Sequence, residues 1–142
     1  MVHKNIKVSN VLLDITFRAR LGGFGLISSC SSGAHQDHQK GLDGSKIERH
    51  DPPESMHVLQ PNEKMDVYYF GVLVLDIVAA RRSIDQDLCP DEVDLVELAW
   101  NLHKKDKLVE IADKRLMRRY NPEQVKCLAG VGFLSTHIDP VA

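Results

Sequence analysis

Cysteine is scarce in this sequence, and neither acidic nor basic residues are in marked excess. The three cysteines, Cys30, Cys89 and Cys127, are widely spaced and form no Cys-x-x-Cys pair, which argues against a disulfide framework or a zinc finger. We therefore interpret them as reduced thiols. The formal net charge of −2, with both signs mixed along the chain, argues against nucleic acid or an anionic membrane as a partner.

Long apolar runs are also missing. The longest, residues 67–80, is interrupted by Asp76 and is too short to cross a bilayer, so the sequence predicts a buried helix there and no direct membrane insertion. The first residues do not have the pattern of a signal peptide. We expect a soluble chain of 142 residues, either one domain or a piece of a larger one, whose localisation is otherwise unknown from the sequence.

The patterns that are present predict a mainly α-helical fold with a short β-hairpin near the N-terminus. Residues 11–13 and 19–21 are short apolar or alternating runs, typical of two strands joined by a tight connection. Residues 65–80 are apolar on nearly all sides, as in a helix at the centre of a domain. A second helix is predicted to start near Asp91, and a further short helical piece is predicted for residues 108–116.

The last predicted helix has the clearest start signal in the sequence. Asn121 can cap it, Pro122 suits the first helical position, and Gln124 completes a possible capping box. Its predicted apolar face consists of Val125, Leu128, Ala129, Gly132 and Phe133.

Between the predicted hairpin and the central helix, residues 27–50 are rich in serine, glycine, histidine and lysine. This composition predicts a long loop that is functional or disordered. Within it, Cys30, His35 and His38 could converge on one metal ion, since His-x-x-His spacing allows this. A flexible polar loop explains the same residues more simply, so no metal site is predicted.

Four short motifs follow one another along the chain: His3 to Asn10, Gly23-Phe24-Gly25, Pro52-Pro53-Glu54 and Asp66 to Gly71. In order and spacing they resemble the His-Arg-Asp-x-Lys-x-x-Asn, Asp-Phe-Gly, Ala-Pro-Glu and Asp-Val-Tyr-Ser-Phe-Gly motifs of eukaryotic protein kinases. Residues 94–103 and 108–116 are similar to lectin-type receptor-like serine/threonine kinases of plants. The resemblance implies that residues 1–142 form a partial kinase domain, the helical C-terminal lobe without the nucleotide-binding lobe.

The resemblance also assigns roles at a candidate catalytic site. It implies that Lys7 and Asn10 are catalytic-loop residues and that Leu12 lies under the adenine of ATP. Asn5 stands where the family has its catalytic aspartate, and Gly23 stands where it has the aspartate that binds magnesium. An amide cannot take the proton of a substrate hydroxyl, and glycine has no side chain that could bind a metal.

Four further residues have structural roles in the resemblance. His3 and Phe24 match members of a stacked apolar spine, and we interpret them here as local packing residues. Glu54 matches a glutamate that pairs with an arginine in the family. Asp66 matches an aspartate that accepts hydrogen bonds from the backbone of the catalytic loop.

Kinases of this family use ATP and magnesium, but the two missing acids lead us to expect no cofactor for this chain. Asp14 is close in sequence, although at its strand-turn position we expect it to point away from the phosphates. The leading hypothesis is a catalytically inactive pseudokinase, at most a protein-binding module, with a protein partner or self-association through exposed apolar surface of the lobe. Two alternatives stay open: residual ATP-dependent protein serine/threonine kinase activity with a partner supplying the nucleotide lobe, and a decayed gene product without function. The family is normally found at the plasma membrane.

Overall fold

The computed structural model describes residues 2–3, 5–24 and 63–137. In chain order, a 3₁₀ turn at Val8–Asn10 leads into strands β1 (Val11–Leu13) and β2 (Ala19–Leu21), followed by helices α1 (Glu63–Ala79), α2 (Leu95–Lys104) and α3 (Pro122–Thr136). Further 3₁₀ turns lie at Pro90–Glu92, Leu108–Ile111 and Lys114–Leu116. The described part is mainly α with one short hairpin, as the sequence predicts. The predictions for Cys30, His35, His38 and Glu54 lie outside the described residues.

Strands β1 and β2 pair antiparallel at the predicted residues, with Leu12 opposite Arg20. The carboxylate of Asp14 organises the connecting turn. Its Oδ1 accepts hydrogen bonds from the Thr16 hydroxyl at 2.7 Å and from the backbone N–H groups of Thr16 and Arg18 at 2.8 and 3.0 Å. A short carboxylate that bonds backbone two residues onward is a common way to close a turn. Asp14 is therefore bound within the hairpin and not directed at the candidate catalytic loop.

Acid is expected to loosen this turn. The hydrogen bond from the Thr16 hydroxyl, followed by the backbone bonds from Arg18 and Thr16, holds the pKa of Asp14 below its usual value of 3.8. A carboxylate whose pKa is lowered on folding stabilises the fold above its unfolded pKa, and this contribution is lost as the pH falls through the folded pKa. Amide NMR shifts of Thr16 and Arg18, followed from pH 6 downwards, measure the transition. In a Thr16→Val variant the pKa of Asp14 should return towards its usual value; equal midpoints in both proteins would contradict the assignment.

The start of α2 differs from the prediction near Asp91. Residues 90–92 form a separate 3₁₀ turn, and the helix begins only after Asp94, whose backbone is extended. Oδ1 of Asp94 accepts hydrogen bonds from the N–H groups of Val96 and Glu97 at 2.8 and 3.2 Å. The prediction was wrong because two aspartates precede the apolar run, and the second one caps the helix.

Helix α3 begins at the predicted cap. Oδ1 of Asn121 accepts hydrogen bonds from the N–H groups of Glu123 and Gln124 at 2.9 and 3.3 Å, and Pro122 lies in the first turn. The predicted apolar face is wrong for Leu128, which is 46% exposed. The buried positions are 129, 132, 133 and 136, a set with helical spacing, and position 128 lies about 100° around the helix from position 129.

At their crossing, helices α1 and α3 approach so closely that a side chain has no room between them. A Cβ atom at Gly71 would lie 2.7 Å from the carbonyl oxygen of Gly132 and 2.9 Å from Cγ2 of Thr136. A Cβ atom at Gly132 would lie 3.0 Å from Cγ1 of Val74. Gly71 is therefore needed for the two backbones to meet at this distance, and a side chain at position 132 would force its neighbours on α1 to shift.

The three helices enclose one hydrophobic core. Leu75 of α1, Leu95 and Ala99 of α2 and Ala129 of α3 are fully buried, and Leu108 from the following turn joins them. Each helix contributes at least one residue that water does not reach. The described helices thus stabilise one another through a shared apolar interior.

Aromatic rings join α2 to α3 at one side of this core. Trp100, the sole tryptophan of the sequence, packs edge-on against Phe133 with ring centroids 4.7 Å apart and against His137 at 4.9 Å. His103, one helical turn further along α2, stacks on Phe133 at 4.3 Å. These rings form the α2–α3 seam.

Helix α1 is less completely buried than the sequence predicts. Val67, Phe70 and Ile77 are each about half exposed, whereas Leu75 and Val78 face the core. Among the described residues, α2 and α3 cover one side of α1 and leave the other open. In the same part of the chain, we find no helix with the length and apolarity needed to cross a membrane.

Candidate functional site

The start of the chain is attached to α1 through one carboxylate. Oδ2 of Asp66 accepts a hydrogen bond from the backbone N–H of His3 at 2.6 Å. His3 itself is buried, so this bond lies in a place that water reaches poorly. A hydrogen bond to a carboxylate is stronger than one between neutral groups. The N-terminal segment is therefore held against the first turn of α1.

The ring of His3 links two parts of the candidate site, the motif at residues 3–10 and the glycine-rich segment at residues 22–24. Its Nδ1 accepts a hydrogen bond from the backbone N–H of Asn5 at 3.2 Å, which leaves Nε2 as the protonated nitrogen. Nε2–H then donates to the carbonyl oxygen of Gly22 at 2.9 Å. The ring of Phe24 packs edge-on against the same imidazole, with centroids 4.2 Å apart. His3 and Phe24 are thus in contact, and both ring nitrogens of His3 are used in structural bonds.

Asn10 joins the same two motifs a second time. Its side-chain Nδ2 donates to the carbonyl oxygen of Asn5 at 2.7 Å, and its own carbonyl oxygen accepts from the backbone N–H of Gly22 at 2.8 Å. Its backbone N–H donates to the carbonyl oxygen of Lys7 at 2.9 Å and closes the 3₁₀ turn. The Asn10 side chain is consequently held in one orientation by the loop that it belongs to.

Gly23 lies directly against this asparagine. Its φ of +81° is in the left-handed region, which residues with a Cβ atom rarely adopt. A Cβ atom at this position would lie 2.7 Å from Nδ2 of Asn10 and 2.9 Å from its Cγ. In this arrangement the space that an aspartate at position 23 would need is occupied by the Asn10 side chain.

The remaining predicted site residues are placed apart from this contact. Lys7 is exposed, and Leu12 is 61% exposed on β1, opposite Arg20. Asn5 is half-buried between the two hydrogen bonds that its backbone makes. The roles that the resemblance gives Lys7, Asn10 and Leu12 in catalysis and nucleotide binding stay predictions.

The chemistry of these side chains does not fit a magnesium–nucleotide site. Magnesium prefers carboxylate and other oxygen ligands in octahedral geometry. Asn10 brings one neutral oxygen, Asp14 is bound in the hairpin turn, and Asp66 is bonded to the backbone of His3. Within residues 2–3, 5–24 and 63–137, no cluster of three histidine, cysteine or acidic side chains is arranged as metal ligands. What the site does offer is a network of neutral hydrogen bonds that joins two loops.

A family model described as protein tyrosine and serine/threonine kinase matches residues 1–97. The chain belongs to this kinase family. Its curated relatives include the probable L-type lectin-domain containing receptor kinase S.7 of Arabidopsis thaliana, 34% identical over 142 residues, with 98% of this chain and 20% of the relative covered. The L-type lectin-domain containing receptor kinase VIII.1 of the same plant is 31% identical over 146 residues, with 99% and 20% covered. The predicted relationship to lectin receptor kinases is confirmed, and the chain spans about a fifth of the length of these relatives.

Among solved structures, the pseudokinase domain of BIR2, described as an immune regulator of the RLK/Pelle family, is similar to this chain. The TM-score is 0.72 at 21% sequence identity, and the match covers 99% of this chain and 39% of that one. This likeness shows that the kinase-family chain has the fold of part of a kinase domain.

Sequence reasoning missed two contacts of the candidate site. The carbonyl oxygen of Gly22 is the acceptor for His3, and backbone acceptors leave no mark in residue type. The packing of Asn10 against Gly23 was also missed, although the left-handed backbone there agrees with the choice of glycine. The two consecutive glycines, Gly22 and Gly23, are the one sequence signal that could have pointed to this contact.

Proposed function

We propose that this chain is a catalytically inactive member of its kinase family, which acts by binding another protein and not by transferring phosphate. The observation that carries the proposal is the loss of both acids: an amide at Asn5 and no side chain at Gly23, with Asn10 packed into the space beside the glycine. A positioned general base contributes roughly 10²–10⁴-fold to a rate. Without the second acid, magnesium also lacks its carboxylate ligand.

The residues that remain do not supply these functions. Lys7 is exposed and could contact a phosphate, yet a protonated lysine neither accepts the hydroxyl proton nor binds magnesium. The side-chain nitrogen of Asn10 is already bonded to the carbonyl oxygen of Asn5, and its oxygen offers magnesium a single neutral ligand. The half-exposed apolar side chains of α1, Val67, Phe70 and Ile77, support a role in protein association.

Phosphate transfer by the full chain tests the proposal. We expect incubation with labelled ATP, magnesium and a general protein substrate to give no more incorporation than a Lys7→Met variant gives. Millimolar Mg-ATP should leave the melting temperature of both proteins unchanged. A ligand that binds the native state raises the melting temperature, and we expect no such binding. Transfer that is lost in the Lys7→Met variant would overturn the proposal and favour residual kinase activity.

A cooperative thermal transition, followed by circular dichroism, bears on the remaining alternative of a decayed product. Capped helices at Asp94 and Asn121 and the shared core support a sharp transition. A chain that melts without one would contradict the idea of a folded binding module.

A further inference from the structure

A groove lies beside the start of α3, in a different part of the chain from the candidate site at residues 3–10 and 22–24. It has a volume of about 690 Å³ and is bounded by the two 3₁₀ turns at Leu108–Ile111 and Lys114–Leu116 and by the first residue of the helix. Its apolar lining comes from Val109, Ala112, Met117 and Pro122. A groove of this kind can take up an apolar side chain of a bound segment.

The acids that line this groove are already paired with cations outside it. Glu110 forms an ion pair with Lys107 at 3.3 Å. Both carboxylate oxygens of Asp113 accept from Nε of Arg115 at 3.0 Å, and this contact lowers the pKa of Asp113 below its usual range. Both carboxylates therefore have a cation partner outside the lining.

The bases that line the groove have no such partners. Among the described residues, neither Lys114 nor Arg118 forms an ion pair with an acidic side chain. Two consecutive residues, Met117 and Arg118, have left-handed backbones with φ of 47° and 58°, and the turn they make carries Arg118 into the lining. Tyr120 adds a phenol group to the same lining. The groove thus combines an apolar lining with two cations, Lys114 and Arg118, that form no ion pair within the described residues.

We propose that this groove binds an acidic peptide segment of a partner protein, whose carboxylates pair with Lys114 and Arg118 while a neighbouring apolar side chain enters the groove. The proposal deepens the protein-binding role given above and rests on it. Charge complementarity selects the partner, since opposite potentials steer association and exclude basic segments. A concave, partly apolar surface favours a peptide over a flat anionic membrane.

Fluorescence anisotropy with a labelled peptide of alternating glutamate and leucine tests this on the full chain. Saturable binding is expected, and a Lys114→Gln/Arg118→Gln variant should bind at least about tenfold more weakly. The matched control, Arg82→Gln/Lys105→Gln, removes the same charge from exposed positions outside the lining and should bind as the unaltered chain does. Circular dichroism verifies that both variants fold.

Three outcomes would overturn the groove as a peptide site: no saturable binding, an equal loss of affinity in both variants, or equal binding of a peptide with glutamine for glutamate. If the chain binds phosphatidylserine vesicles more strongly than the peptide, and this binding depends on Lys114 and Arg118, the ligand of the groove is an anionic membrane and the peptide proposal is wrong. None of these results affects the phosphate-transfer assay. Failure of the groove is therefore distinct from failure of the proposed inactivity.

Discussion

Replacing Gly71 by alanine is expected to lower the free energy of unfolding by about 3 kcal/mol, and hence the melting temperature by roughly 10 °C. The added Cβ atom would lie 2.7 Å from the carbonyl oxygen of Gly132 and 2.8 Å from Cβ of Ser135. A backbone carbonyl cannot rotate away as a side chain does, so the two helices must separate. Separation of α1 and α3 would also open the core around Leu75 and Ala129.

Gly130 of α3 supplies the matched control. A Cβ atom at this position would meet no heavy atom within 4 Å. Gly130→Ala should stabilise the chain by roughly 0.5–1 kcal/mol, because alanine loses less backbone entropy in a helix than glycine does. The two substitutions are chemically identical and are expected to have opposite signs in a thermal melt. Equal effects would show that the α1–α3 contact is not as close as described.

Restoring the acid at position 23 is expected to damage the loop and not to revive catalysis. Gly23→Asp places a side chain on a backbone with φ of +81°, at a cost of about 1–2 kcal/mol. The new Cβ atom would also displace Asn10 from its hydrogen bond to Asn5, which costs roughly another 0.5–1.5 kcal/mol. We expect the Asn5→Asp/Gly23→Asp protein, which carries both missing acids, to be less stable and still without phosphate transfer.

Two comparisons isolate the causes. Gly22→Ala is the control, since its Cβ atom would make ordinary contacts of 3.7 Å with Asn10 and Leu12, and it should be nearly neutral. Adding Asn10→Ala to Gly23→Asp removes the clash but leaves the backbone strain. A double-mutant cycle from urea unfolding should therefore give a coupling of about 1 kcal/mol. If Gly23→Asp is no less stable than Gly22→Ala, the steric account of this loop is wrong.

The sequence predicted the local features whose signals lie within a few residues. The cap at Asn121 and the two hairpin strands were found because a capping side chain and an alternating pattern act over short distances. The start of α2 was misplaced because Asp91 and Asp94 give the same local signal, and only Asp94 has the extended backbone and the hydrogen bonds that cap the helix. Leu128 was assigned to the wrong face since a position beside the apolar stripe is buried only if a neighbouring element covers it.

The sequence named the residues of the candidate site, whose roles stay predictions, but it did not indicate their contacts. One motif contained His3, Asn5 and Asn10 and another contained Gly23, and the structure brings these four residues into contact. The direction of each hydrogen bond depends on how the two loops approach, and a single sequence does not encode this as a pattern. The sequence shows directly that both acids are replaced. The steric obstacle to restoring the acid at position 23, which is the Asn10 side chain, is visible only in the structure.

Because Trp100 lies in the α2–α3 seam, intrinsic tryptophan fluorescence reports on the contact between these two helices. Because Trp100 is the sole tryptophan and its ring contacts are with Phe133 and His137, its emission follows the separation of α2 from α3. Far-UV dichroism, by contrast, averages over α1, α2 and α3 together. If the two signals change at one temperature, α1 melts together with the seam; if emission changes first, the C-terminal helices come apart while the central helix persists.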